Sequence, residues 1–512
     1  PYIRQLPETL PPWLLADAKL MSRAKAYETI HFPDDAETLA AARRRLGFEE
    51  VFSLSLAALM NKAEIAHEHA LAIDFDEQLA KDFVKHLPFR LTNPQRRAIW
   101  QIYLDMQRTQ PMNRLVEGDV GSGKTVVAAM AALMVMHSGR QVVMMAPTEL
   151  LARQHYQSLT RLLAALGLEE QVGLLIGGLS KRAKTTIRQQ IADGTVRFVV
   201  GTHALLQDTV DVHNLGLVIV DEQHRFGVDQ RTALQAKAGH AVHVLNTTAT
   251  PIPRSLALTL YGELDISIID AKPQGRAPII TTIVSPNSRQ QLHDDLRQQL
   301  ADGRQVFVVC ALIQDSSAIK SRSAEQVYRE MQREFADYRV GLLHGKLRSD
   351  EKDAVMQAFV RHEVDILVST TVIEVGVDVP NASVMVIEGA ERFGLAQAHQ
   401  LRGRVGRGEH QGYCYLVLSD SAPPSKRIRA LQTSHDGFRL AELDLEIRGP
   451  GAIYGTMQHG ALDLRIASLG DTRLIAAARS AAEQFLARQD NLLHYEQLSA
   501  RVQRLRAVTN LN

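Results

Sequence analysis

The residues with the clearest chemical potential are Gly118-Asp119-Val120-Gly121-Ser122-Gly123-Lys124-Thr125, which fit the pattern G-x-x-x-x-G-K-[ST]. The apolar pair Leu115-Val116 precedes them and Val126 to Met136, a run of good helix formers, follows, so a strand, a loop and a helix are expected in that order. In such a loop the small residues let successive backbone N–H groups turn inward around a triphosphate. The helix start aims its unpaired N–H groups and positive dipole end at the same charge. Gly118, Gly121, Ser122 and Gly123 are therefore expected to cradle phosphate, Lys124 to reach the β and γ phosphates, and Thr125 to hold Mg²⁺ through its hydroxyl. ATP and Mg²⁺ are the cofactors this predicts.

Two further clusters fit the same chemistry. Leu217 to Val220 is an apolar run ending in Asp221-Glu222-Gln223-His224; Asp221 is suited to Mg²⁺, and Glu222 to orienting and deprotonating the attacking water. Gln400-Leu401-Arg402-Gly403-Arg404-Val405-Gly406-Arg407-Gly408 interleaves three arginines with glycines that permit close approach to a phosphate or another backbone. Arg404 and Arg407 are expected to reach across a cleft as arginine fingers, which makes hydrolysis depend on closure of two lobes.

Positioning these residues takes a particular architecture. From about residue 88 to 275, short β-rich runs alternate with helical ones: 114–117, 141–146, 171–175, 197–201, 217–221 and 243–246. That alternation is the grammar of a parallel sheet with right-handed crossovers. A second set follows within 276–420, at 279–284, 305–312, 339–343, 365–369, 383–387 and 412–418, without a phosphate loop of its own. The fold class is thus α/β, with two parallel-sheet lobes between a helical region at 1–87 and a mainly helical segment at 421–512. In the first region a short helix is expected over 17–27, another over 39–46 behind a capped start at Pro33 to Glu37, and a longer one over 49–69. Arg43 to Arg45 read as a solvated helix face.

Composition adds exclusions. The 512 residues carry 58 lysines and arginines against 57 aspartates and glutamates, a net charge of +1, so any basic track for nucleic acid must be local. Cys310 and Cys414, both in apolar runs, suit reduced buried thiols in a cytoplasm better than a disulfide scaffold or a zinc site. No apolar run approaches the length of a membrane span and Pro1-Tyr2-Ile3-Arg4 carries no signal-peptide pattern, so a cytoplasmic location and no membrane partner are expected.

Together with Thr248-Ala249-Thr250-Pro251, the phosphate loop, the acidic box and the glycine-arginine box resemble the motifs of superfamily 2 helicases, in their order along two RecA-like lobes. The chain from about His31 onward is similar, more narrowly, to the RecG family of bacterial ATP-dependent DNA helicases, through Asp221 to Val228, Thr250-Pro251-Ile252-Pro253-Arg254, Thr371 to Pro380, and the segment from Asp436 to Gly460. Transcription-repair coupling factors share much of this, but that last segment favours RecG. The resemblance implies that Gln95, in Leu91-Thr92-Asn93-Pro94-Gln95, recognises adenine. It implies that Thr148, Thr202 and His203 contact the DNA backbone, and that Thr248 and Thr250, with Glu374 and Asp378 in the second lobe, couple the ATP site to DNA. Arg427, Arg448 and Gln458 match positions of the hairpin and loop that turn lobe motion into translocation. Ala311 departs from the proline usual after Cys310. The implied activity is ATP-driven translocation on branched double-stranded DNA, reversing stalled forks and migrating Holliday junctions, by a monomer that also meets a single-stranded DNA-binding protein. The family's N-terminal wedge domain, which splits branched DNA, is expected to precede the residues matched here.

Overall fold

The computed structural model describes residues 2–65, 68–207, 210–212, 214–222, 239–250, 264–271, 277–311, 323–345, 347–370, 379–408, 410–448, 464–468 and 470–509. They pack as two compact units, one from Pro1–His69, Ile252–Asp265 and Glu442–Asn512, the other from Ala70–Pro251 and Ile266–Ala441.

The larger unit contains both sheets. The first has seven strands, β1 (Asn113–Gly118), β2 (Gln141–Met145), β3 (Val172–Leu175), β4 (Phe198–Gly201), β5 (Leu215–Asp221), β6 (His243–Thr248) and β7 (Asp265–Ile269), in the order β3-β4-β2-β5-β6-β1-β7. The second has six, β8 (Ile280–Val284), β9 (Gln305–Cys310), β10 (Val340–Leu343), β11 (Ile366–Ser369), β12 (Ala382–Glu388) and β13 (Tyr413–Val417), in the order β10-β11-β9-β12-β13-β8, with every neighbouring pair parallel. Central strands of a parallel sheet are covered on both faces, and their sequences follow suit: Val142 to Met145 and Val306 to Cys310 are buried without interruption. The strands agree with those expected to within two residues at each described end, and β7 is the addition. It lies at a sheet edge and mixes buried with half-buried positions, with Asp265 and Ser267 interrupting its apolar residues.

Parallel strands place their loops on one sheet edge. The phosphate loop follows β1; Thr148, Thr202, Glu222 and Ala249 follow β2, β4, β5 and β6. In sheet order β1, β6 and β5 are neighbours, so the loop, the acidic pair and the threonines after β6 converge, while Thr148 and Thr202 lie further along the same edge on β2 and β4. Open α/β sheets bind ligands at this carboxyl edge.

The smaller unit corrects two expectations. The two helices read over 39–46 and 49–69 are one continuous helix, Ala36–Ile65, whose start is capped by the Asp35 carboxylate accepting from Thr38 N at 2.7 Å. Gly47, between the two expected helices, sits within it where another backbone passes close: a Cβ there would lie 3.2 Å from Ala467 Cα. Arg45 is not solvated. It is fully buried, paired with Glu49 at 2.7 Å and with Glu8. The short helix expected over 17–27 is displaced into two, Pro12–Asp17 and Arg23–His31, the second capped by Ser22.

Candidate active site

The phosphate loop has the shape its sequence demands. Gly121 and Gly123 adopt φ of +76° and +85°, left-handed values that side-chain-bearing residues avoid. A Cβ on Gly118 would meet Ser122 Oγ at 2.4 Å and one on Gly123 would meet the Gln95 amide at 2.2 Å, so a larger residue at either position would displace a side chain that shapes the cradle. Helix Lys124–His137 starts at the loop's end, and Lys124 Nζ donates to the carbonyls of Gly118 at 2.7 Å and Asp119 at 3.2 Å. Thr125 follows in the helix's first turn, partly exposed. These features fit a triphosphate, with Lys124 and the inward N–H groups holding it and the Thr125 hydroxyl available to a hard cation.

Gln95 serves the loop directly. Thr92 caps helix Asn93–Met106, and the Gln95 side chain completes a capping box: its carbonyl accepts from Thr92 N at 2.8 Å while its amide donates to Ser122 O at 2.7 Å. Both ends of the expected adenine reader therefore touch protein, and it braces the loop from beneath.

Asp221 and Glu222 end β5. Burial alone would raise the Asp221 pKa, but His155 at 2.8 Å, the Thr247 hydroxyl and the Lys124 charge together hold it well below the usual carboxylate range. Asp221 is thus a fixed anion. For Glu222, burial and the neighbouring Asp221 charge push the pKa up, against Lys124, the Ala249 N–H and Arg404. One carboxylate stays ionised and its neighbour is tuned toward proton uptake, a separation that suits a metal ligand beside a general base. Glu222 also holds φ at +54°, a strained value for a residue with a side chain, and accepts from Ala249 N at 3.3 Å. Burial pushes Lys124 below its ordinary value, opposed by Glu222, Asp221 and Asp119 and helped by Arg404.

Arg404 belongs to the second sheet's side, yet its charge acts on both Lys124 and Glu222, and it is buried. The turn holding it presses on the phosphate loop, since a Cβ on Gly403 would lie 3.0 Å from Val120 Cβ. Arg407 is half-buried and its Nε donates to Gly403 O at 3.1 Å, shaping that turn. Gln400 donates to Thr250 Oγ1 at 2.6 Å, and Thr248 Oγ1 accepts from Thr250 N at 3.2 Å, so the two expected coupling threonines touch the second sheet's helix through Gln400. Thr148 caps helix Glu149–Ala164, accepting from Leu151 N at 3.3 Å; Thr202 is buried at the start of a short turn and His203 is exposed. Arg427 donates to Phe393 O. Glu374, Asp378 and Gln458 lie outside the described residues, as does the Arg448 side chain.

Four residues of this site carried no sequence signal. His155 and Thr247 fix Asp221, and His399 Nε2 lies 2.8 Å from Asp119 Oδ1. Asp119 occupies a position the loop pattern leaves unspecified, and 280 residues separate it from His399. Among the described residues no group of three or more histidines, cysteines or carboxylates could hold a metal. Asp221 and the Thr125 hydroxyl offer oxygen donors of the kind Mg²⁺ prefers.

The DEAD/DEAH box helicase family matches residues 92–259, the helicase conserved C-terminal domain 289–409, and the C-terminal part of domain 3 of the ATP-dependent DNA helicase RecG 434–511. A RecG from Staphylococcus aureus is 43% identical over 93% of this chain and 70% of its own length. The chain belongs to the RecG family. RecG from Synechocystis sp. is 47% identical over 96% of the chain and 59% of its own length. A solved RecG bound to a three-way DNA junction matches with a TM-score of 0.79 at 42% identity, over 93% of this chain and 62% of that one. The chain spans about three fifths of the length of the first RecG relatives it matches. Among the described residues no helix is long and apolar enough to cross a membrane.

Proposed function

We propose that this chain is the motor of an ATP-driven translocase that remodels branched double-stranded DNA, reversing stalled forks and migrating Holliday junctions. The observation that carries the reading is the Gly403-Arg404 turn pressed on the phosphate loop, with the Arg404 charge reaching Lys124 and Glu222. In this reading ATP with Mg²⁺ supplies the phosphoanhydride whose hydrolysis drives the cycle. Lys124 and the loop N–H groups hold phosphate, Thr125 and Asp221 hold the cation, Glu222 takes the proton of the attacking water, and Arg404 and Arg407 meet charge developing on the transferred group. Gln95 braces the loop, and the second N–H of its amide is the group left for adenine. Thr148, Thr202 and His203 grip the DNA backbone, Thr248 and Thr250 with Glu374 and Asp378 couple it to the nucleotide, and Arg427, Arg448 and Gln458 deliver the stroke.

The working division is 1–87 as helical linker region, 88–275 and 276–420 as the two RecA-like lobes, and 421–512 as translocation segment. Branched DNA as substrate is supported by the RecG bound to a three-way junction. A monomer working in the cytoplasm beside a single-stranded DNA-binding protein completes the proposal. Phosphate release measured with no DNA, linear duplex and three-way junction tests it: stimulation by the junction above linear duplex is expected. No phosphate release with or without junction would leave only a nucleotide-gated DNA-binding module, and turnover indifferent to DNA would remove the translocase.

A further inference from the structure

A buried polar chain runs from the phosphate loop into the second sheet's helices. Asp119 Oδ1 accepts from its own neighbour Val120 N at 2.7 Å and faces His399 Nε2 at 2.8 Å; His399 Nδ1 faces Arg402 Nη2 at 2.7 Å; Arg402 Nη1 donates to Leu431 O in helix Lys426–Thr433. Asp119, His399 and Arg402 are each less than a tenth exposed. A guanidinium has donors only, so the ring nitrogen facing Arg402 holds a lone pair and Nε2 carries the proton donated to Asp119. Arg402 thereby sets the tautomer, and each member has one direction in which it can bond.

We infer that His399 is a positioning residue for hydrolysis, a latch that closes the second sheet's helix Leu395–Arg402 onto the phosphate loop and registers Arg404, two residues beyond that helix, over the nucleotide. The inference rests on the ATPase reading above and goes past it, because it assigns the closing contact to a neutral histidine on Asp119 and not to the arginines. Three observations support the assignment. The same Asp119 oxygen shapes the loop through Val120, so the latch touches the cradle itself. The Gly403 contact with Val120 lies one turn from it, and a Cβ there would come within 3.0 Å of Val120 Cβ, so the two backbones approach closely at the latch. Arg402 carries the connection on to Leu431, at the start of the segment proposed to move DNA, so loosening of the latch is felt there also. A buried hydrogen bond to an ionised group contributes about 1.5 to 3 kcal/mol, enough to shift a two-state closure about ten-fold to a hundred-fold.

The test is a cycle in kcat for junction-stimulated ATP hydrolysis, made with His399→Ala, Asp119→Ala and the double variant, and with His399→Gln, whose amide can still donate to Asp119. We expect His399→Ala to lower kcat by roughly ten-fold to a hundred-fold, KM for ATP to move less than about three-fold, the double variant to lose little more than the worse single, and His399→Gln to recover most of the rate. Additive losses in the double variant, an Ala variant with unchanged kcat, or a Gln variant no better than Ala would each overturn the latch. Failure of the ATPase reading itself would appear earlier, as a parent chain without hydrolysis or as hydrolysis that survives Lys124→Ala.

Discussion

At the scale of single residues the site separates charges that sequence alone leaves equivalent. Asp221 and Glu222 are adjacent carboxylates, yet His155 and Thr247 hold one down while burial and Asp221 push the other up. Glu222→Gln should therefore bind ATP tightly and turn over roughly two to four orders of magnitude more slowly, the usual contribution of a placed base. In the native chain the acid limb of kcat should lie above the ordinary carboxylate range, since Glu222 must lose its proton to act and its pKa is raised. Weakened ATP binding in the variant, or an acid limb near an unperturbed glutamate, would assign Glu222 a structural task. The two arginines also part company. Arg404 acts electrostatically on Lys124 and Glu222, whereas Arg407 holds the turn through Gly403 O. Steady-state kinetics should accordingly show a loss in kcat of about three orders of magnitude for Arg404→Ala and a smaller one for Arg407→Ala, with nucleotide affinity little changed in either. Equal losses would mean that Arg407 acts on the transferred group as directly as Arg404 does.

At the scale of elements, two anchors hold segments that the sequence presents as plain helix or loop. The Glu50 carboxylate, on helix Ala36–Ile65, accepts from the backbone N–H groups of Arg465, Ile466 and Ala467 at 3.2, 3.1 and 2.9 Å. Glu50→Ala leaves three donors without that acceptor, so a loss of about 1–3 kcal/mol in chemical denaturation is expected, and a variant as stable as the parent would mean water replaces the carboxylate. The second anchor is His243 at the start of β6. Its Nδ1 accepts from Met112 N at 3.0 Å, just before β1, so Nε2 carries the proton toward Leu71 O, also at 3.0 Å. Burial pushes its pKa below the ordinary imidazole value, against the Leu71 bond and Asp105. The folded chain thus takes this proton later than the unfolded chain. As pH falls through the unfolded value near 6.5 the unfolded state gains the proton first, and stability is lost until the folded imidazole protonates as well. His243→Gln should flatten the fall in Tm between about pH 7 and pH 5. A slope identical to the parent's would show that other groups carry it.

At the scale of the whole molecule, one compact unit is built from three separated pieces of chain. The long helix Ala36–Ile65 buries Phe48, Val51, Phe52 and Leu56, and its rings meet the tail's: Phe52 lies 6.1 Å from Phe485, edge to face. Beside them Arg501 reaches Glu49 and Trp13 donates to Asp490 at 2.7 Å. A single helix cannot bury such a face alone, so truncation after residue 441 should cost more helical signal in circular dichroism than the deleted residues account for, and should expose apolar surface to a hydrophobic dye. Loss of only the deleted residues' helicity would mean that residues 1–69 fold without the tail.

The sequence by itself determined the two parallel sheets and the phosphate loop, because both are local. A parallel strand announces itself by a continuous apolar run, as Val142 to Met145 does, and a phosphate loop by glycines that must take left-handed φ next to a lysine. It also held the RecG resemblance, which the family matches bear out. What it did not contain were facts that join distant stretches. The edge strand Asp265–Ile269 was illegible because Asp265 and Ser267 interrupt its apolar residues and three of its five positions are only half-buried. The long helix read as two on either side of Gly47, since nothing local reveals Ala467 passing 3.2 Å from where that residue's Cβ would stand. Arg45 read as solvated because Glu8, 37 residues away in the chain, reaches it only once the fold forms, and only then is its local partner Glu49 buried with it. His399 is the extreme case: an unremarkable helical histidine acquires a role only when folding brings it from 280 residues away to Asp119, and that meeting is decided by how two sheets pack and not by any pattern along the chain.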